Sequence, residues 1–212
     1  MSAHPLASPR PGGSPGSSRV ILGVDPGTRV AGWGIVRRDG HSYTAVAAGV
    51  IKADGELPIG ERLTLVFEGV RAVLALHAVE LVAVEEAFYG ANVRSAIRLG
   101  EGRAVALLAA TLAGHPVVEL APSLVKKAVC GHGGATKEQV RSALEATLAG
   151  GLSEATRALP LDATDALALA VAAHARGSAP GPARSIRKRG GSRWTTQDLA
   201  RLGLLGGSER AP

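Results

Sequence analysis

The stretch VILGVDPGT, residues 20–28, sets an acid at the end of an apolar run. Val20–Val24 has the composition of a short strand buried on both faces. Asp25 closes it, and Pro26-Gly27-Thr28 turns the chain. Asp before Pro-Gly is ordinary turn chemistry. Read alone, the stretch leaves two readings open: a turn initiator, or a carboxylate that a buried strand carries for a purpose.

Working outward, the hydrophobic period changes in an ordered way. Val30–Arg37 and Tyr43–Ile51 read as two further strands, joined by the hairpin turn RDGHS. Gly32 and Gly34 inside the second strand point to a close approach by another backbone or a ligand. Residues 59–78 follow with helical spacing. Leu63, Val66, Phe67, Val70, Val73 and Leu74 share one face, and Glu61, Arg62, Glu68 and Arg71 lie off it. A fourth strand, LVAVEEAF, is apolar until Glu85. A helix over 92–113, a fifth strand PVVEL, helices over 123–130 and 136–148, and a last helix over 162–174 complete the order. Thr136 and Gln139 form a capping box at the start of the fourth of these helices. The expected fold class is α/β: a five-stranded mixed sheet flanked by helices. It combines an antiparallel meander with parallel central strands, the first, fourth and fifth. Asp25 and Glu85 then lie at the carboxyl ends of parallel strands, where open α/β sheets bind ligands.

Composition bounds the partners. The 212 residues are 46% hydrophobic but only 3% aromatic, so the core is built from Ala, Val and Leu. The net charge is +6, yet residues 177–212 carry +5 of it and residues 1–18 carry +1. The stretch between them is neutral, so any nucleic-acid surface must be a local patch. Residues 1–18, rich in Pro, Ser and Gly, and the basic tail 177–212 read as mostly disordered. Within the tail, a short helix near Thr196–Leu204 is the exception. The folded domain is then 19–176. One cysteine, Cys130, fits a reducing, cytoplasmic setting. No apolar run is long enough for a bilayer, and the N-terminus lacks the apolar block of a secretory signal.

Two more acid sites matter. Glu85 directly continues a buried strand, whereas its neighbour Glu86 reads as solvated. Asp162 and Asp165 stand three apart at the start of a helix, so both point to one side. Acids there commonly cap or complement a helix start. However, Ala166–Ala173 is small and apolar all round, which expects a buried helix and a buried start. Four carboxylates on three buried elements repel one another unless protons or cations neutralise them. Oxygen ligands without His or Cys suit Mg²⁺ or Mn²⁺, and a pair of such ions suits phosphodiester hydrolysis.

The segments ILGVDPGTRVAGWGIV, VAVEEAFYGANVRSAIRLGEGRAVALLAA, APSLVKKAVCGHGGATKEQV and LDATDALALA resemble, in order and spacing, the RuvC family of Holliday-junction resolvases. The resemblance covers about residues 20–176. It implies an RNase H-like fold, a homodimer and a possible complex with a branch-migration helicase. It also implies paired, symmetric nicking of four-way DNA junctions with two Mg²⁺ per subunit, Mn²⁺ substituting. The products would carry 5′-phosphate and 3′-hydroxyl ends, in recombination and repair. The family's acidic residues fall on Asp25, Glu85, Asp162 and Asp165 as catalytic metal ligands. Some members have histidine in place of Asp162. Lys126 and Lys137 fall on DNA contacts near the scissile phosphate, Phe88 on a residue that stacks on a junction base, and the helix over 92–113 on the dimer interface.

Other readings compete. A non-catalytic junction-binding protein would not need all four acids. An RNase H-like nuclease of another substrate shares the same carboxylates. An actin- or Hsp70-type nucleotide-binding protein needs a second copy of its domain, for which the chain is too short.

Overall fold

The computed structural model describes residues 18–86 and 93–177. The expected disorder at the two ends, the short helix near residue 200, and the aromatic pair Phe88-Tyr89 lie outside the described residues, except at their innermost positions. Strand β1 (Arg19–Asp25) is followed by β2 (Val30–Asp39), β3 (Ser42–Lys52), β4 (Leu81–Glu85) and β5 (Val117–Leu120). They form one sheet in the order β3-β2-β1-β4-β5. β1 pairs antiparallel with β2, which pairs antiparallel with β3. β1–β4 and β4–β5 are parallel. The expected mixed sheet is present, with one adjustment: β5 is parallel as anticipated but forms the edge. Only four residues long, it completes the crossover after β4 and has no later strand to cover it.

The alternation along β1 explains its unbroken apolar run. Ile21 belongs to the core on one face of the sheet, and Leu22 and Val24 to the core on the other. All three are fully buried. Helices α1 (Ile59–Leu76) and α2 (Val93–Leu112) cover the second face, packed against each other. Helices α3 (Pro122–Cys130), α4 (Lys137–Thr147) and α6 (Leu161–Ala175) cover the first, and the single turn α5 (Glu154–Arg157) links α4 to α6. α5 escapes sequence periodicity because four residues are too few to show a period. Its start is legible only as Ser153, whose hydroxyl accepts from the Thr156 amide.

α6 is buried all round from Ala163 to His174, apart from Asp165. Burial of Leu167, Leu169 and Val171 contributes roughly 1.5–3 kcal/mol each. The helix lies directly on the backbone of β1 and β2. A Cβ at Gly23 would run into the Ala166 carbonyl oxygen, and one at Gly32 into the Asp162 carbonyl. A Cβ at Gly34 would meet Leu167 at 2.7 Å. The strand glycines are therefore the seat of a helix, as their position suggested. At the far end, buried His174 bonds the Val36 carbonyl through Nε2 at 3.0 Å, tying α6 to β2.

One expectation for α1 fails. Arg62 is buried, in the row Arg62, Val66, Val70 and Val73/Leu74, while Leu63 is only partly covered. The buried stripe is rotated by about one residue relative to the apolar pattern. Arg62 takes the buried position that the pattern assigned to Leu63, and its Nε is buried with it.

Candidate active site

The sheet register brings the acids together before any side chain is considered. Val24 of β1 is the partner of Val84 on β4, so the next residues, Asp25 and Glu85, emerge side by side at the carboxyl ends of parallel strands. Across the other edge of β1, Asp25 pairs with Gly32. Gly32 is where the Asp162 backbone sits on the sheet. Asp165 lies three residues further along α6, on the same side of the helix. β1, β4 and the first turns of α6 thus meet at one end of the sheet.

The helix start settles the question about the aspartates. Pro160 is the N-cap of α6, without any side-chain cap hydrogen bond, and Asp162 and Asp165 fall inside the helix. Neither acid caps. Pro160 presets the entry of the chain, and the carboxylates remain available for other partners.

Electrostatics bind the four acids into one group. Burial pushes the Asp25 carboxyl up to about 8, and the charges of Glu85, Asp165 and Asp162 add to the rise. Burial also raises Glu85, helped by Asp165. A hydrogen bond from Asp25 and the positive charges of Lys137 and Lys126 work against that rise. The Asp25–Glu85 pair is thus pushed toward retaining a proton, with Asp25 hydrogen-bonded to Glu85. Lys137 Nζ donates to Asp165 Oδ2 at 2.8 Å. That bond, with the fields of Asp25 and Asp162, holds the ammonium above its usual range despite partial burial. Glu86, by contrast, is exposed and its amide simply continues the pairing to the Leu120 carbonyl.

Among the described residues, no three carboxylate, imidazole or thiolate side chains are closed to metal-ligand spacing. A proton on Asp25 and the Lys137 ammonium at Asp165 supply the neutralising charge. Nonetheless, the donor chemistry fits a hard divalent cation. The acids come from three buried elements, and a carboxyl forced to retain its proton at neutral pH is one that a cation would ionise.

The turn after Asp25 is held from behind. Pro26 and Thr28 are buried, and Gly27 faces Gly102 of α2, where an added Cβ would meet the Gly27 carbonyl at 3.1 Å. Gly102 thus serves contact with the turn that carries Asp25. Gly100, with open space around it, lies on the outer face of the same helix.

Comparison with known proteins adds the family. Residues 21–174 match the family described as crossover junction endodeoxyribonuclease RuvC. The chain belongs to the RuvC family. The crossover junction endodeoxyribonuclease RuvC of Chloroflexus aggregans is 45% identical over 150 residues, covering 71% of this chain and 89% of that relative. RuvC of Maricaulis maris is 44% identical over 165 residues, covering 77% and 96%. Among solved structures, Thermus thermophilus RuvC in complex with Holliday junction substrate matches with a TM-score of 0.68 and 35% identity. That match covers 75% of this chain and 94% of that one. A yeast mitochondrial Holliday junction resolvase matches with a TM-score of 0.54 at 10% identity, a likeness of fold alone. The fold is RNase H-like.

The remaining expected contacts of this RuvC-family chain divide by position. Lys126, half-buried on α3, lies near enough to Glu85 to act on its charge. Lys137 begins α4 behind the expected capping box, which is fully formed by Thr136 and Gln139. Its engagement of Asp165 was not foreseen, since the two residues stand 28 apart on different helices. The only advance signal was that four clustered acids need a counter-charge. Phe88 lies outside the described residues.

Proposed function

We propose that this chain resolves four-way DNA junctions by nicking two strands at symmetry-related positions. Products carry 5′-phosphate and 3′-hydroxyl ends, and Mg²⁺ is required, with Mn²⁺ as a substitute. The observation that carries this reading is the convergence of Asp25, Glu85, Asp162 and Asp165 at one end of the sheet, with the field of each carboxylate felt at Asp25. These four would hold the two ions. When bound, such ions polarise the scissile phosphate and stabilise charge on the attacking and leaving oxygens. The chain's own residues do the rest. The strand ends and buried α6 fix the carboxylates, and the turn at Pro26-Gly27 is held against Gly102 of α2. Lys126 and Lys137 offer positive charge to the phosphate backbone. Phe88, three residues beyond Glu85, is the proposed stacking residue for an unpaired base at the junction centre.

Symmetric nicking needs two copies. Ile97, Leu108 and Leu112 of α2 are each more than half exposed and share one helical face with Gly100. A stripe of exposed aliphatics is the kind of surface that buries against an identical stripe, and we assign the homodimer interface to it. The setting is cytoplasmic, and a branch-migration helicase is the partner class in keeping with a junction substrate. No helix among the described residues is long and apolar enough to cross a membrane.

The test is a cleavage assay of the purified full chain on a four-way junction, a linear duplex and an RNA–DNA hybrid, with Mg²⁺ or EDTA. Paired nicks on the junction alone, abolished by EDTA, are expected. Cleavage of the hybrid in preference to the junction would assign another nuclease of this fold. Tight junction binding without cleavage in either metal would assign a non-catalytic binder.

A further inference from the structure

We propose that Lys137 is a stand-in cation. Its ammonium sits on Asp165 Oδ2, and it competes with a divalent ion for that carboxylate. This rests on the metal-dependent nuclease reading and adds that metal binding frees Lys137 to meet the substrate phosphate. The argument begins with the 2.8 Å contact of Lys137 Nζ on Asp165 Oδ2, in a site that offers a divalent cation only carboxylates. An ammonium and a metal ion cannot share one carboxylate oxygen at bonding distance without repelling each other. Among the described residues, Lys137 of the two lysines near the acids makes an ion pair, while Lys126 acts on Glu85 through its charge.

The construction suits an exchange. The Lys137 side chain is 60% exposed, so it can swing into solvent at little cost, while Asp165 is 24% exposed and fixed on the buried helix α6. The backbone beneath the lysine is pinned by the Thr136–Gln139 capping box. Only the flexible stem has to move. Lysine suits this role because its charge is compact and its stem has no preferred fork. An arginine would grip the carboxylate with two parallel hydrogen bonds and release it less readily.

Competition of this kind lowers the apparent metal affinity by the degree to which the paired form is favoured over the open one. A partly exposed ion pair is favoured by a few-fold, so its removal should tighten metal binding by about three- to tenfold. The experiment is isothermal titration of Mg²⁺, and separately Mn²⁺, into the full chain without DNA. Wild type, Lys137→Met, Lys137→Arg and Lys126→Met are compared, with melting curves confirming that each is folded. Lys137→Met should bind either ion about three- to tenfold more tightly than wild type. Lys137→Arg should bind no more tightly than wild type. Lys126→Met removes the same charge without freeing Asp165, and should change affinity by less than about twofold. Equal tightening in both methionine variants would reduce the effect to general repulsion and overturn the proposal. Unchanged or weaker binding by Lys137→Met would do the same, making the lysine a fixed support for Asp165. Absence of binding of either ion by wild type would instead bring down the metal-dependent reading itself, and this proposal with it.

Discussion

Asp25→Asn should leave the protein more stable and inactive, and the gain should grow with pH. Asp25 has its carboxyl pushed from an ordinary 3.8 up to about 8, first by burial and then by Glu85, Asp165 and Asp162. For an acid raised in this way, the folded state binds the proton more tightly than the unfolded chain does. Its stability is unimpaired below about pH 4, falls as pH rises toward 8, and levels off above. Each tenfold difference in proton affinity is worth about 1.4 kcal/mol. Between pH 5 and pH 8 the unfolded carboxyl is already ionised while the folded one still holds its proton, so wild type loses about 4 kcal/mol. Asparagine has no proton to keep, and its amide can still donate to Glu85 in place of the carboxyl. The stability gap between variant and wild type should therefore widen by up to about 4 kcal/mol between pH 5 and pH 8. For a domain of this size that is roughly 10 °C in Tm. The assay is thermal and urea denaturation of both proteins in EDTA across that range. Added Mg²⁺ should raise the wild-type Tm more than that of the variant. Junction cleavage by the variant should fall by at least about 10²-fold, with binding retained. A gap that stays constant from pH 5 to pH 8 would refute the reasoning, since the buried acid would then carry no electrostatic strain.

Two further perturbations probe the scaffold and the assembly. Gly32→Ala inserts a Cβ into the Asp162 carbonyl, which is backbone and cannot rotate aside. It should destabilise the fold by about 1–3 kcal/mol or more in urea titration, and displace both α6 acids so that cleavage falls further than junction affinity. Leu108→Glu places a charge in the exposed aliphatic face of α2. Sedimentation should show a folded monomer, and nicking should become single and unpaired. A variant that stays dimeric would move the interface elsewhere.

The parts of the fold legible in the sequence are those where one physical demand acts locally. Alternation and apolar runs gave β1 to β4, and the capping box at Thr136 gave the start of α4 because its two hydrogen bonds involve neighbours in the chain. Asp25 and Glu85 could be picked out because each breaks an otherwise buried strand. The rest depends on contacts between distant segments. Arg62 reads as surface until it is seen in the buried row of α1, and β5 reads as central until the order of strands makes it the edge. Asp162 and Asp165 were ambiguous for a specific reason: acids at a helix start have a local role available to them. That role is removed only by knowing that Pro160 is the cap.

Those same aspartates show why the site needs so much of the fold. A carboxylate that is to hold a cation must not relax away from its neighbours when the cation is absent, although repulsion drives it to do so. Here the relaxation is blocked mechanically. Gly23, Gly32 and Gly34 let the α6 backbone rest on β1 and β2 without intervening side chains, and the helix is buried from Ala163 onward apart from Asp165, which anchors the turns that carry the acids. On the other side, Gly102 lets α2 close against Gly27 and hold the Asp25 turn in place. The repulsion is then relieved by the two responses left, a proton on Asp25 and an ammonium on Asp165. On the proposed metal-site reading, a divalent ion would take the place of both. On the proposed reading the glycines matter as much as the acids, because they let α6 and α2 close on the sheet end that carries the cluster.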